Sequence, residues 1–189
     1  MSNMLLNDKA QRILNEFSSD YNQKIYGRDI AKKLKMNQKT VSNILNKLEN
    51  ENILKFSYGG KNKYYFLNRF NPNIKEIIKL IEINRKIRFI DENKRLGELF
   101  DKLEQKTQGV LVVFGSYAQG TDTEKSDLDL FVIGKISNVD ELEDLHSIKI
   151  NMVKSDKNKF NKHEPIIIEI IKNHIILKGV EEFIELTWQ

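Results

Sequence analysis

Hydrophobic residues in the first 68 positions recur with the spacing of three short helices followed by two strands. One amphipathic helix is predicted over 5–17, and its apolar face consists of Ala10, Ile13, Leu14 and Phe17. After a short extended link at 25–26, a second helix is predicted over 27–34, with Ile30 and Leu34 facing inward. Asn37 is the predicted N-cap of the third helix. The apolar stripe of that helix consists of Val41, Ile44, Leu45 and Leu48.

Two strand-like runs, 53–58 and 63–67, follow the third predicted helix. They are joined by Gly59-Gly60-Lys61-Asn62, and paired glycines suit a turn that needs positive φ. A helix pair with a tight turn, followed by a basic β-hairpin, resembles the winged helix-turn-helix family. The resemblance covers residues 5–68.

This resemblance implies double-stranded DNA as a partner, because in the family the second helix of the pair enters the major groove and the hairpin contacts the backbone or minor groove. The candidate contacts on the helix are the polar residues of its outer face: Gln38, Lys39, Thr40, Ser42 and Asn43. On the hairpin, Lys61 and Lys63 would contact phosphate. The alternative interpretation is a merely solvated helix face on a module that binds another protein.

A boundary is expected at Asn71-Pro72-Asn73, where proline interrupts the preceding element. Helical spacing of apolar residues from there to about Gln105 predicts one long helix or two consecutive ones. Three additional isoleucines, Ile83, Ile87 and Ile90, widen the apolar surface, which could pack the two modules together or form a homodimer interface. The expected division is therefore a winged helix over 1–70, a helical connector over 71–94 and a second domain over 95–189.

Candidate chemistry is concentrated in the second domain. The apolar run Val110–Phe114 predicts a buried strand, followed by a turn at Gly115-Ser116 that starts a short helix. A second strand is predicted from Asp127 to Ile133. Because strand side chains alternate, Asp127 and Asp129 would project to the same side, with Cα atoms about 7 Å apart.

These residue types indicate a site for metal ions and phosphate. Two nearby carboxylates repel each other unless a divalent cation lies between them, and such an oxygen pair suits Mg²⁺, or Mn²⁺ in its place. The Gly115-Ser116 turn presents backbone N–H groups at a helix start, which favours anions, and Gly115 lets the backbone approach a triphosphate closely. The combination is typical of two-metal nucleotidyl transfer.

The segment resembles the DNA polymerase β-like nucleotidyltransferase superfamily, in its minimal nucleotidyltransferase branch. The signature is Gly-Ser, then ten residues (117–126), then Asp-Leu-Asp, and the resemblance covers 95–189. It implies that Gly115 and Ser116 hold the phosphates of an NTP and that Asp127 and Asp129 are the catalytic, Mg²⁺-binding carboxylates. It also implies an α+β fold whose second domain is a mixed sheet flanked by helices.

Two positions depart from the family pattern. The third carboxylate, expected on the next central strand (148–153), is replaced by Asn151, which is uncharged and a poor general base. Glu169 or Asp156 could serve from nearby. Gln119 stands where many members have a basic residue, so one phosphate partner is missing.

Charge and composition support the division into two modules. Residues 1–70 hold 13 Lys/Arg and 6 Asp/Glu, a net charge of +7, whereas the remainder has a net charge of −3. A basic first module favours contact with a polyanion. The absence of cysteine excludes disulfides, thiolate metal sites and cysteine nucleophiles. Without a signal-peptide pattern or an apolar run long enough to span a bilayer, a cytoplasmic protein is expected.

Two functions fit these observations. The first is Mg²⁺-dependent transfer of a nucleoside monophosphate from an NTP to a protein, RNA or small-molecule acceptor, by an enzyme with an attached DNA-binding module. The alternative is a winged-helix transcription regulator whose degenerate nucleotidyltransferase domain serves nucleotide sensing, dimerisation or antitoxin-like partner binding.

His146, His163 and His174 lack the spacing of metal ligands and are expected to be structural or exposed.

Overall fold

The computed structural model describes residues 7–188, which form two compact units. The first unit runs to Ile81 and the second begins at Glu82, so the division falls within one helix, α4 (Ile74–Glu92). Each unit has its own buried apolar residues. No helix among residues 7–188 is long and apolar enough to cross a lipid bilayer.

The first unit has the topology of a winged helix-turn-helix. Its elements, before α4, are α1 (Asp8–Asn15), β1 (Ile25–Tyr26), α2 (Gly27–Lys33), α3 (Gln38–Asn50), β2 (Leu54–Gly59) and β3 (Asn62–Leu67). Strand β3 is central in an antiparallel sheet of order β1-β3-β2. The helix pair α2–α3 and the hairpin β2–β3 confirm the fold expected for this part of the chain.

The predicted helix boundaries are close to those observed. Helix α1 ends at Asn15, two residues before the predicted end, yet Phe17 is still buried in the core. The predicted helical residues Leu5 and Leu6 lie outside the described part of the chain. Leu34, expected to face inward, is the C-cap of α2 and is only half-buried.

Helix α3 begins as predicted. The Asn37 side chain accepts hydrogen bonds from the backbone N–H groups of Lys39 (2.9 Å) and Thr40 (3.4 Å). These bonds satisfy two donors that have no partner within the helix. All four residues of the predicted apolar stripe are buried, with exposures of 8% or less.

The second unit is built around a four-stranded mixed sheet. Its elements after α4 are a 3₁₀ turn (Lys94–Leu96), α5 (Gly97–Lys106), β4 (Thr107–Phe114), α6 (Gly115–Gln119), β5 (Leu128–Ile136), α7 (Asp140–His146), β6 (Ile150–Ser155), a second 3₁₀ turn (Lys157–Lys159), α8 (Pro165–Lys172), β7 (Ile175–Lys178) and α9 (Val180–Trp188). The strand order is β6-β5-β4-β7, with β5 and β6 parallel and the other pairs antiparallel. The α+β class is confirmed.

Both faces of this sheet are covered by helices. Leu111 and Val113 of β4 pack on one face with residues of α5 and α7, and Val110 and Val112 pack on the other face with residues of α8 and α9. Burial on both faces explains why β4 is an uninterrupted apolar run rather than an alternating one. Successive side chains of β5 also point to opposite faces of the sheet, and this determines which face carries its polar side chains.

The helical stretch predicted from 73 to about Gln105 consists of α4 and α5, separated by the first 3₁₀ turn, and only α4 and part of that turn fall within the predicted connector, 71–94. Of its additional isoleucines, Ile90 packs against the core, whereas Ile83 and Ile87 are exposed. His174 is fully buried, with its Nδ1 2.6 Å from the carbonyl oxygen of Ile171. That histidine is structural.

Candidate active site and nucleic-acid interface

The two aspartates of the motif lie at the beginning of β5. Asp127 immediately precedes the strand and Asp129 is its second residue. Leu128 and Leu130 are fully buried. Because side chains alternate along a strand, the two carboxylates project together from the opposite face. This arrangement is the one the sequence predicted.

Pairing between β5 and β6 brings Asn151 to the aspartates. In the parallel register Asp129 lies opposite Asn151 and Leu128 lies opposite Ile150. The Nδ2 of Asn151 donates hydrogen bonds to Oδ2 of Asp127 (3.3 Å) and Oδ1 of Asp129 (3.1 Å). Asn151 therefore lies where the resemblance predicts a third carboxylate, and its amide bridges the two aspartates.

The donor set fits a divalent cation. Asn151 Nδ2 lies within about 3.3 Å of one oxygen of each carboxylate, so a single ion placed near this atom could contact both carboxylates. Mg²⁺ takes oxygen ligands at about 2.0–2.1 Å and is commonly bound by one or two carboxylates together with substrate phosphates. Asp127 and Asp129 would hold the ion. Asn151 would have to turn its amide oxygen toward the ion or withdraw.

The suggested substitutes for the missing carboxylate do not lie at this position. Asp156 follows the far end of β6, five residues from Asn151, or about 16 Å along an extended strand. Glu169 lies on α8, where its carboxylate pairs with Lys172 and Asn173 of the same helix segment. Within residues 7–188, no three His, Asp or Glu side chains form a group suited to a metal ion.

Gly115 is required by the site for a reason that the sequence did not reveal. Its φ is +67°, a conformation that L side chains rarely adopt. A Cβ at this position would also collide with Oδ2 of Asp129 and lie 3.1 Å from its Cγ. The start of α6 thus approaches the Asp129 carboxylate closely, so the Gly-Ser turn and the aspartates form one site. Ser116 follows in the first turn of α6, and Gln119 ends that helix on the surface.

Lys149 also lies beside Asp127, although the sequence analysis did not select it. Its Nζ lies 3.6 Å from Oδ2 of Asp127, and its side chain is 70% exposed. Its backbone is fixed, since the carbonyl oxygen accepts a 2.8 Å hydrogen bond from Leu128 N–H. Leu128 lies opposite Ile150, so the residues that precede them, Asp127 and Lys149, are neighbours as well. Extending a predicted pairing of the two strands by one residue would have identified Lys149.

A second candidate site lies in the first unit. A concave surface, which encloses a volume of about 560 Å³, is formed by α3, the start of α2 and β3. Four of the predicted DNA contacts line it: Gln38, Lys39, Ser42 and Lys63. The other three, Thr40, Asn43 and Lys61, are not among its lining residues. The predicted residues on α3 are exposed apart from Thr40, which is half-buried.

Arg28 also lines this concave surface, although the sequence analysis missed it. It is the second residue of α2 and is exposed. The helix-turn-helix pattern contains the signal, because the start of the first helix of the pair is brought beside the second helix. An arginine at that position offers a planar set of donors suited to phosphate.

The two hairpin lysines differ in their surroundings. Lys63 lies with its Nζ 3.5 Å from Oε2 of Glu49 and 3.7 Å from the centroid of the Phe56 ring. An acidic partner and an aromatic face both stabilise an ammonium group, so its charge is partly compensated within the unit. Lys61 is exposed in the hairpin turn. Phosphate contact by either residue remains a prediction.

Fold and site together define a small nucleotidyltransferase-type domain joined to a winged helix. Residues 93–185 match the nucleotidyltransferase domain family. A relative from Methanocaldococcus jannaschii, named "Putative protein adenylyltransferase", is 31% identical, and the match covers 39% of this chain and 82% of the relative. The chain belongs to the nucleotidyltransferase family. Membership implies a nucleotide substrate, and the family generally uses a divalent metal.

Two solved structures are more distantly similar. One is a homodimeric winged helix-turn-helix DNA-binding domain from Mycobacterium bovis, 18% identical, with a TM-score of 0.36 over 46% of this chain and 73% of that one. The other is a toxin–antitoxin structure with AMP-PNP, 20% identical, with a TM-score of 0.36 over 50% of this chain and 78% of that one. At these scores neither likeness supports a conclusion about function.

Proposed function

We propose that the chain is a cytoplasmic, Mg²⁺- or Mn²⁺-dependent nucleotidyltransferase with an attached module that binds double-stranded DNA. Transfer is assigned to residues 95–189, DNA binding to 1–70, and the link between them to 71–94. The observation that carries the proposal is the convergence of Asp127, Asp129 and the Gly115 turn at one end of the sheet.

The reaction would move a nucleoside monophosphate from an NTP to an acceptor. The acceptor's nucleophilic atom forms a bond to the α-phosphorus, the bond from that phosphorus to the α,β-bridging oxygen breaks, and pyrophosphate leaves. A divalent cation held by Asp127 and Asp129 would supply positive charge beside the phosphate oxygens. Gly115 and Ser116 would place backbone N–H groups against the triphosphate.

Position 151 has no carboxylate that could accept the proton released by the acceptor's nucleophilic atom. Transfer to solvent is therefore the simplest route, and it favours acceptors that ionise readily. Protein, RNA and small molecules all remain candidate acceptors. The name of the Methanocaldococcus relative makes a protein acceptor and ATP the first pair to test.

Isothermal titration of ATP, GTP, CTP and UTP with Mg²⁺ tests the site directly. The wild type should bind at least one nucleotide, and the double variant Asp127→Asn/Asp129→Asn should lose Mg²⁺-dependent binding. Asp144→Asn is the matched control, because Asp144 is an exposed aspartate on α7 outside the site. Wild-type protein that binds no nucleotide, or a double variant that binds as well as the wild type, would contradict the proposal.

A second candidate function is a DNA-binding regulator that retains the nucleotidyltransferase fold for nucleotide sensing, dimerisation or antitoxin-like partner binding. Asn151 is the observation that favours it, since the uncharged amide replaces a carboxylate used in catalysis. The exposed Ile83 and Ile87 side chains would form part of a homodimer surface. Nucleotide binding without labelling of any acceptor, together with DNA affinity that falls as salt rises, would favour the regulator over the enzyme.

A further inference from the structure

Four polar residues form a two-by-two array at the edge of the second sheet. Asp127 and Asp129 belong to the β5 segment, and Lys149 and Asn151 belong to the β6 segment. The parallel register places Asp129 opposite Asn151, and the hydrogen bond from Leu128 N–H to Lys149 carbonyl oxygen places Asp127 beside Lys149. Neighbouring strands are about 4.8 Å apart, so the four side chains share one surface.

Lys149, which precedes β6, and Asn151 contact the same carboxylate oxygen. Lys149 Nζ lies 3.6 Å from Asp127 Oδ2, and Asn151 Nδ2 lies 3.3 Å from it. The Asp127 side chain is 41% exposed, so water and a ligand can reach it. The ammonium group of Lys149 therefore partly neutralises the negative charge of the two carboxylates, and the Asn151 amide adds one uncharged hydrogen-bond donor.

This arrangement changes the net charge of the site. Two carboxylates and one ammonium give the array a net charge of −1. An aspartate at position 151 and a neutral residue at 149 would give −3. A less negative site attracts a free divalent cation less strongly and repels a triphosphate less strongly. Lys149 and Asn151 together thus weaken the binding of a free metal ion and favour the binding of the nucleotide.

The site also needs a positive group for phosphate. Gln119 is uncharged where many family members have a basic residue, whereas Lys149 places a positive group against Asp127. Its anchored backbone and mostly exposed side chain allow Nζ to move without disturbing the sheet. An exposed ion pair is weak, so exchanging the carboxylate for a phosphate costs little.

We propose that Lys149 is a nucleotide-phosphate-binding residue that pairs with Asp127 when no nucleotide is bound and moves to the triphosphate when nucleotide and cation bind together. The inference rests on the proposed function, because it requires the site to bind an NTP. It assigns Lys149 the role for which Gln119 is unsuited. It also predicts that the free protein has a low affinity for divalent cations.

The proposal predicts opposite effects of one substitution on two ligands. Lys149→Ala removes a charge that competes with a free cation, so Mn²⁺ should bind the nucleotide-free variant about three- to tenfold more tightly than the wild type. The same variant should bind α,β-methylene-ATP with Mg²⁺ about tenfold more weakly, since one phosphate contact is lost. Lys149→Arg should restore both affinities to near the wild-type values.

Mn²⁺ affinity is measured by electron paramagnetic resonance of the free ion, and nucleotide affinity by isothermal titration, both on the full chain. Lys154→Ala is the matched control: Lys154 is an exposed lysine five residues farther along the same segment and on the opposite face of the sheet. Neither affinity should change in that variant. Matching circular dichroism spectra would show that the folds are unchanged.

The possible outcomes separate this inference from the proposed function. If the wild type binds the nucleotide but Lys149→Ala changes neither affinity, or changes both in the same direction, the role of Lys149 is wrong while the proposed function survives. If the wild type binds no nucleotide at all, both are wrong. Tighter Mn²⁺ binding together with weaker nucleotide binding, rescued by arginine and absent in the lysine control, supports the inference.

Discussion

The two candidate sites differ in how strongly each depends on single residues. In the second unit, the Asn151 amide bonds to both carboxylates, and Gly115 leaves no room for a side chain beside Asp129. In the first unit, the candidate DNA contacts are distributed over a concave surface of about 560 Å³ and the adjoining hairpin. One substitution should therefore reduce ligand binding strongly at the site in the second unit but only modestly at the surface in the first unit.

The difference has a physical origin in how the side chains are held. Strand pairing fixes the Cα positions of Asp129 and Asn151, and buried leucines on either side prevent the strand from rotating. The polar residues of α3 project into solvent from a helix whose opposite face is buried. Contacts made by long, exposed side chains with phosphate are additive and individually modest.

The largest effect is expected for Gly115→Ala. The alanine Cβ would collide with the Asp129 carboxylate and would also require an unfavourable positive φ. Because the carboxylate or the Gly-Ser turn must move, Mg²⁺-dependent nucleotide binding should fall at least tenfold, as measured by isothermal titration.

Gly120→Ala separates the collision from the backbone strain. Gly120 has nearly the same φ, +66°, but a Cβ there would meet no atom within 4 Å. Each variant should lose about 1–2 kcal/mol of stability from the strained backbone, but only Gly115→Ala should lose nucleotide affinity. Equal losses of nucleotide affinity would show that contact with Asp129 is not what requires glycine.

A smaller effect is expected in the first unit from Arg28→Ala and Lys39→Ala. If each residue contacts one phosphate, each substitution should reduce the slope of log affinity against log salt by about 1, on DNA of any sequence. Fluorescence anisotropy with labelled duplex DNA between low and physiological salt measures the slope.

Lys47→Ala is the control for that series. Lys47 is an exposed lysine in the last turn of α3 and does not line the concave surface. Its removal lowers the net charge by the same amount, so a simple charge effect would appear in all three variants. An unchanged slope in Arg28→Ala and Lys39→Ala would mean that this surface does not bind the DNA backbone.

Regular patterns made much of the fold predictable from the sequence. The apolar stripe of α3 and its Asn37 cap specified that helix, and the uninterrupted run Val110–Phe114 specified a strand buried on both faces. The Asp-Leu-Asp spacing specified two carboxylates on one side of β5. These features depend on neighbours in the sequence, and local spacing describes them well.

The unpredicted parts of the sites depend on contacts between residues distant in the sequence. Lys149 joins Asp127 only through the parallel pairing of β5 with β6. The need for glycine at 115 arises from Asp129, fourteen positions later. Arg28 lines the same concave surface as Lys39 because the helix pair folds back on itself. A sequence pattern contains such residues but not the distances between them.

The smallest effect concerns the start of α3, where the candidate DNA contacts begin. Asn37→Ala removes the side-chain oxygen that accepts from the N–H groups of Lys39 and Thr40, which should lower the free energy of unfolding of the first unit by about 1 kcal/mol. Urea unfolding followed by far-ultraviolet circular dichroism measures the loss, and fluorescence of Trp188 reports on the second unit, which should be unaffected.

Asn37→Asp provides the matched comparison, because aspartate is an equally good N-cap and its charge is favourable at a helix start. It should keep the stability of the wild type. The Lys39 and Thr40 amides should exchange hydrogen faster in Asn37→Ala and remain protected in Asn37→Asp. If the cap also orients Gln38 and Lys39 toward DNA, Asn37→Ala should weaken DNA binding without changing the salt slope, since no phosphate contact is removed. A reduced slope would instead indicate that the loss of the cap displaces Lys39 from the backbone.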